Sequence, residues 1–340
     1  MAAERSAAAL RRFVLVAVIL PVCLTAAAVI VQVVALPALP DPAAVHWGAS
    51  GSADGFASPW LYPVLTLVVA GALPLLLALT SLPGLRRGGG GPTYRFMGAL
   101  ALGLAAFSAV VLTWSALMQA GLADAVDAPS VWPALIGGIV AGGVAGSIGW
   151  LVQPRVEQPA PSVLPGAAIA LRPGERAVWM RTTTIGRAGG FGIGVGTIAV
   201  VLAAVITAVT GAPAATVWVL GVAAVVLVAL AATTVAFHVR VDEAGLEVRS
   251  VLGLPRFRVP LAEVARAAGV EVNPMGEFGG WGIRTTPGRF GIVLRTGPAF
   301  EVWRENGRRT VVTVDDAATG AALLQALADR ARHGAAAHRG

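Results

Sequence analysis

The hydrophobic pattern divides this chain into two parts near residue 238. Before it lie six apolar runs: Phe13–Leu36, Trp60–Leu82, Phe96–Gln119, Val131–Val152, Phe191–Thr210 and Ala214–Phe237. Each fits the roughly 20 residues with which an α-helix crosses a bilayer, and no Asp, Glu, Arg or His stands deep inside any of them. Beyond His238 the period shortens to two. Val239-Arg240-Val241 and Leu246-Glu247-Val248-Arg249 alternate about a turn at Glu243-Ala244-Gly245, the pattern of a β-hairpin. Arg256–Val259, Val270–Val272, Gly291–Leu294, Phe300–Trp303 and Thr310–Val314 predict further short strands. Leu323, Leu324, Leu327 and Ala331, behind Asp315-Asp316, predict an amphipathic helix with an acidic start that suits the helix dipole. The expected fold class is an α-helical polytopic membrane protein of about six transmembrane helices, followed by an all-β domain with one C-terminal helix.

The connectors set the expected boundaries. Residues 1–12 precede a four-helix membrane domain, 13–152, with a polar loop at 37–59 between its first two spans. Segment 153–189 carries Pro154, Pro159, Pro161, Pro165 and Pro173. It is expected to be an extended linker with at most one short structured piece around Ala177–Thr184. A helical hairpin, 190–237, leads into the β domain, 238–332, and a disordered tail, 333–340. The first apolar run exceeds the 7–15 residues or so of a secretory h-region, so it is read as a retained span.

Composition agrees with a membrane protein: 56% hydrophobic and 13% charged residues, with mean hydropathy +0.76, against about 45–50% and 25% in soluble domains. All 25 positive residues are arginine. The missing lysine excludes a Walker A site, a Schiff base or a Ser-Lys dyad. Cys23 stands alone, which excludes an intramolecular disulfide and a cysteine-rich metal site. The dominance of Ala, Gly, Val and Arg points to a GC-rich bacterial genome. The pI of 11.2 finds its explanation in where the arginines fall. Threading the six runs from an internal N-terminus puts Arg5, Arg11, Arg12, Arg86, Arg87, Arg95, the arginines of 155–187 and everything from Arg240 onward on one side. The other side receives Asp41, Asp54, Asp124 and Asp127 and no arginine. The positive-inside bias then predicts a bacterial plasma-membrane protein with both termini, the linker and the β domain cytoplasmic.

The 37–59 loop runs Leu39-Pro40-Asp41-Pro42-Ala43-Ala44-Val45-His46-Trp47-Gly48, then Gly51, Asp54, Gly55, Phe56 and Pro59. Trp47 and Trp60 favour a membrane–water interface. His46, Asp41 and Asp54 have side chains suited to metal ligation or proton transfer, but they lack the compact spacing of a metal motif. The expectation is a recognition loop made of Pro40, Asp41, Pro42, His46, Trp47, Gly48, Gly51, Asp54, Gly55 and Phe56, stiffened by proline and turned at Asp54-Gly55. No catalytic residue, metal or cofactor is expected. The pattern LPxPxxVHW…G…DGF…P after a first span resembles the membrane-protein family called domain of unknown function 1648, over roughly residues 25 to 80. That family includes the immunity and signalling membrane protein of the Sdp toxin system, so the resemblance implies a sensory or immunity-like role. The β domain at the C-terminus is a departure from that protein.

Gly138, Gly142 and Gly146, at four-residue spacing, predict a helix–helix packing face. Gly190–Gly196 opens an apolar helix rather than following a strand, which removes it from the dinucleotide fingerprints. The VDEAGLEVRS hairpin, the RVPLAEV segment and the GWGIRTTPG loop of 238–332 resemble bacterial membrane-attached pleckstrin-homology (PH)-like domains. Arg249, Arg256 and Arg258 are its lipid-facing basic candidates, each contributing about 1 kcal/mol beside an anionic leaflet. Glu277–Trp281 is read as a strand connection or a partner-binding loop. Membrane lipids and a protein partner at the β domain are the expected partners. Nucleic acid is not, since no aromatic platform or recognition helix accompanies the arginines; the oligomeric state is not legible. The expected function is sensory, immunity-like or scaffolding rather than enzymatic. The alternative is a transporter or permease of a neutral or lipid-like substrate, against which the lack of buried ionisable groups counts; a metal-dependent membrane enzyme at His46 ranks behind both.

Overall fold

The computed structural model describes residues 2–156, 162–172, 174–209 and 214–337. Pro159, Pro161 and Pro173 of the expected linker, Thr210 of the fifth run and 338–340 of the tail lie outside the described residues. The chain forms two units that divide near residue 158.

The first unit holds four helices long and apolar enough to cross a membrane: Ser6–Ala38, Leu61–Arg86, Pro92–Leu117 and Trp132–Val152. Between the first and second spans the chain forms an antiparallel hairpin of β1 (Ala43–Trp47) and β2 (Ala53–Ala57). Small residues set the helix packing. A Cβ on Gly142 would stand 2.9 Å from Gly103 O and from Phe107 Cβ, and one on Gly138 would stand 2.4 Å from Val111 Cγ2. The fourth span therefore lies backbone-close against the third, while a Cβ on Gly146 would stand 3.4 Å from Ala99 O, an ordinary contact distance. Buried polar side chains tie the first three spans. Gln32 Nε2 donates to Thr66 Oγ1 (2.8 Å) and Thr113 Oγ1 (3.0 Å), and Thr66 donates back to Gln32 Oε1 (3.0 Å). The second span widens to π-helical geometry over Thr66–Ala72. The Thr25 hydroxyl reaches Ala70 O there at 2.9 Å, supplying a partner where the local geometry is irregular.

The second unit holds the remaining two long apolar helices, Gly189–Val209 and Ala214–Thr234, and two β-sheets. The first sheet has the order β3-β4-β5-β6, from β3 (Trp179–Thr184), β4 (Ala236–Asp242), β5 (Gly245–Ser250) and β6 (Arg256–Pro260), all antiparallel. The second comprises β7 (Val264–Val272), β8 (Gly282–Thr286), β9 (Arg289–Val293), β10 (Gly297–Arg304) and β11 (Arg309–Thr313), in the order β7-β10-β11-β9-β8. Its β9–β11 pair is parallel. A helix, Ala317–Ala337, closes the domain. Trp179, Phe237, Val239, Val248, Phe300 and Leu324 share one buried core between the sheets and this helix. The helix approaches β7 so closely that a Cβ on Gly269 would stand 2.9 Å from Ala318 Cα.

Several boundaries differ from the sequence expectation. The β domain does not begin at His238: β3 lies before the fifth span and pairs with β4 after the sixth, Thr184 opposite Ala236 and Trp179 opposite Val241. The helical hairpin is thus inserted between two neighbouring strands. Segment 153–189 is correspondingly more than a linker, because Val163 also bridges to Val270. The sixth helix ends at Thr234, and Phe237 is a fully buried strand residue of the β-domain core rather than the end of a span. Apolarity alone could not separate the two, since a buried strand is as apolar as a membrane helix. The expected tail begins as helix, which continues through Ala337. β1, β2 and β8 and the short helix Pro274–Phe278 were not anticipated; three of these four elements lie in glycine-rich stretches that read as turns.

Candidate functional site

The β1–β2 hairpin gathers most of the loop residues singled out above. Ala43 and Ala44 are fully buried, and Gln119 at the end of the third span treats Ala44 as a strand neighbour. Its Oε1 accepts from Ala44 N at 2.7 Å and its Nε2 lies 3.0 Å from Ala44 O. Tyr62 donates to Ala44 O at 2.5 Å, and Gln119 Nε2 lies 2.8 Å from the Tyr62 hydroxyl. An amide that satisfies both backbone groups of one residue fixes that residue's position, because displacing it would strand buried donors and acceptors. The second loop on this side joins in: Gly121 N donates to Ala38 O (2.7 Å) and Trp47 Nε1 donates to Pro129 O (3.1 Å).

On this fixed base His46 and Asp54 face each other across the strands. His46 Nδ1 lies 2.5 Å from Asp54 Oδ1, with the two side chains 71% and 51% exposed. The glycines explain the spacing of the motif. A Cβ on Gly55, opposite His46, would stand 2.8 Å from His46 Cβ, and one on Gly48 would stand 2.8 Å from Asp54 Oδ2. Gly51 turns the chain at φ 84° and sits against Ser130 and Trp132, where a Cβ would approach within 2.4 Å. Phe56, on the same strand as Asp54, is 40% exposed. Asp41 and Pro42 are exposed at the entry to β1, and Pro40 is buried there. Among the described residues no three His, Cys, Asp or Glu side chains come together closely enough to hold a metal ion, so Asp41 does not join the His46–Asp54 pair. Gln119 and Tyr62, which hold the hairpin, were not part of the expected recognition loop. Gln119 had been visible only as one polar residue at the end of a span.

The basic candidates of the β domain separate on inspection. Arg256 binds Glu247 through two hydrogen bonds (2.8 and 2.6 Å) and Arg258 binds the same carboxylate at 3.0 Å. Arg249 is exposed, opposite both His238 and Arg256 in the strand register. Glu277 is turned inward to Arg289 at 3.0 Å with its side chain 6% exposed, which removes it as a partner-binding residue. Glu301, also buried, lies near Arg289 and Arg309. Desolvation raises its carboxyl above the usual carboxylate range despite the two guanidinium groups.

The first unit is that of a multi-pass membrane protein carrying a braced extramembrane hairpin. Residues 23–70, from within the first span through β1–β2 into the second span, match the family described as Domain of unknown function (DUF1648). No curated protein and no solved structure matches the chain.

Proposed function

We propose that the protein is a sensory, immunity-like or scaffold component of a bacterial plasma membrane, with the β1–β2 hairpin as its extracytoplasmic recognition surface. The observation that carries this reading is the contrast within the hairpin. Its base is locked by Gln119 and Tyr62, while His46, Asp54 and Phe56 are held out to solvent. A preorganised, exposed group of one imidazole, one carboxylate and one aromatic ring suits binding, since little ordering cost remains to be met. Asp41, Asp124 and Asp127 add further negative charge on that side, which favours a cationic partner surface. The arginine distribution supports placing both termini and the β domain in the cytoplasm, where that domain would hold a protein partner. The reading is non-enzymatic: one exposed His–Asp pair by itself offers little for catalysis. The membrane amides donate to protein partners, which counts against a transport path lined by Gln32 or Gln119.

The test is cross-linked co-purification from native membranes with wild type, the His46→Ala/Asp54→Ala double variant and a chain ended at residue 158. A partner lost with the double variant, at unchanged membrane insertion, is the expected result for the hairpin; one lost only on truncation assigns binding to the second unit. Equal capture by all three forms would remove the recognition reading.

A further inference from the structure

The fifth and sixth spans rise from the β domain through a continuous ladder. Thr184 pairs with Ala236, and Ile185 N donates to Val235 O at 2.8 Å, one residue after the sixth span ends at Thr234. The β5–β6 loop sits at that same root. Ser250 Oγ donates to Thr233 O (2.8 Å) in the last turn of the sixth span, and Val251 N donates to Ala236 O (3.2 Å). The loop is closed on itself as well: Ser250 N donates to Pro255 O (2.9 Å) and Gly253 N, at φ 93°, donates to Ser250 O (2.8 Å). It is a rigid loop of Val251-Leu252-Gly253-Leu254-Pro255 without one polar side chain. It leaves Val251 44%, Leu252 64% and Leu254 73% exposed.

Three aliphatic side chains displayed by a braced loop would be costly in water, at about 25 cal/mol per Å² of apolar surface. Their depth removes that cost, because they lie level with the end of a membrane-crossing helix. Two register rows beyond Val251 and Ala236, about 6.6 Å along the strands, His238, Arg249 and Arg256 align across β4, β5 and β6. Arg256 is held by Glu247, which leaves Arg249 as the exposed guanidinium at the height of the headgroups.

We propose that Val251, Leu252 and Leu254 form a wedge inserted at the acyl–headgroup boundary of the leaflet in which the sixth span ends, with Arg249 on the phosphates of anionic lipid. The occupant is a phospholipid leaflet. The wedge gives the β domain a third attachment beside its two helices, fixing its tilt on the bilayer. The inference rests on the membrane-spanning hairpin and is independent of what β1–β2 recognises.

The test uses the full chain in a Cys23→Ser background, with single cysteines at Leu252 and Asn306 labelled with an environment-sensitive fluorophore. The protein is reconstituted in phosphatidylcholine–phosphatidylglycerol vesicles. Asn306 lies in the β10–β11 turn; β11 runs parallel to β9, whose far end, beyond Val293, meets Gly186 at the root, so this turn points away from the membrane. The label at 252 should be quenched several-fold more by shallow doxyl lipid than the label at 306, and shielded from aqueous iodide. Iodide reaching 252 as readily as 306 would overturn the wedge. Shielding of 252 from both quenchers would overturn it too, because a protein surface would then cover the loop. Arg249→Gln should reduce lipid quenching at 252 when phosphatidylglycerol is present, and no change there would remove Arg249 from the proposal.

Discussion

The third and fourth spans and the fifth and sixth are helical pairs of similar length and hydropathy, yet they are held by opposite devices. Gly103 and Gly142 bring the first pair together backbone to backbone. In the second pair Gly194, Gly196 and Gly221 have nothing within 4 Å of where a Cβ would stand, and the pair is fixed at its base by the β3–β4 ladder. Glycine in a membrane helix is therefore no guide to packing by itself. In the first unit it shapes the interface; in the second, a strand pair settles the separation of the helices before either enters the bilayer.

The largest expected effect comes from filling that first interface. Gly142→Leu drives a side chain into Gly103 O and the Phe107 side chain, which should cost about 1–3 kcal/mol or more and lower the detergent melting temperature of the first unit clearly. Gly196→Leu should stay within about 0.5 kcal/mol of wild type. Equal losses at both positions would mean that the fifth and sixth spans are packed through their glycines after all, and the contrast would collapse.

A second, smaller effect concerns the hairpin that the first unit carries. Gln119→Leu leaves Ala44 N without its partner and removes one of two donors to Ala44 O, at a cost of about 1–3 kcal/mol. The expected readout is amide hydrogen exchange at Ala44 faster by about tenfold or more, with exchange in β3 and β4 unchanged. Unchanged protection at Ala44 would show that Tyr62 alone suffices, and the Gln119 clamp would lose its importance.

These devices differ in how far the chain reveals them. The six spans were legible because about 20 apolar residues in a row have few other uses. The hairpin motif was legible as a unit but not as strands: Gly48, Gly51 and Gly55 read as loop formers, whereas they stand where a Cβ would strike Asp54, Trp132 and His46. Such clearance depends on cross-strand partners that spacing does not reveal. Gln119 was harder still, since its partner Ala44 is a backbone group 75 residues away. The insertion of a helical hairpin between β3 and β4 was hidden because Trp179–Thr184 pairs across two membrane spans, and local pattern carries no trace of so remote a neighbour.

The smallest expected effect tests whether the second pair depends on its β domain. Glu301 is buried beside Arg289 and Arg309, with Glu277 on the far side of Arg289. Desolvation holds its folded-state carboxyl above the ordinary value. A carboxyl that binds its proton more tightly folded than unfolded contributes stability that is present below the unfolded pKa and is lost as the pH rises through the folded one. The β domain should therefore gain a little stability from this group between neutral and mildly acidic pH, before the ion-paired carboxylates protonate. Glu301→Gln should flatten that gain, and hydrogen exchange of the β10 and β11 amides is the measure. If the fifth and sixth spans are positioned by the ladder, exchange at Ile185 should follow the β domain's pH response while Ala44 in the first unit stays indifferent. An Ile185 amide that ignores that response would mean that the ladder ends at β3 and β4 and that lipid, not the sheet, orients the pair.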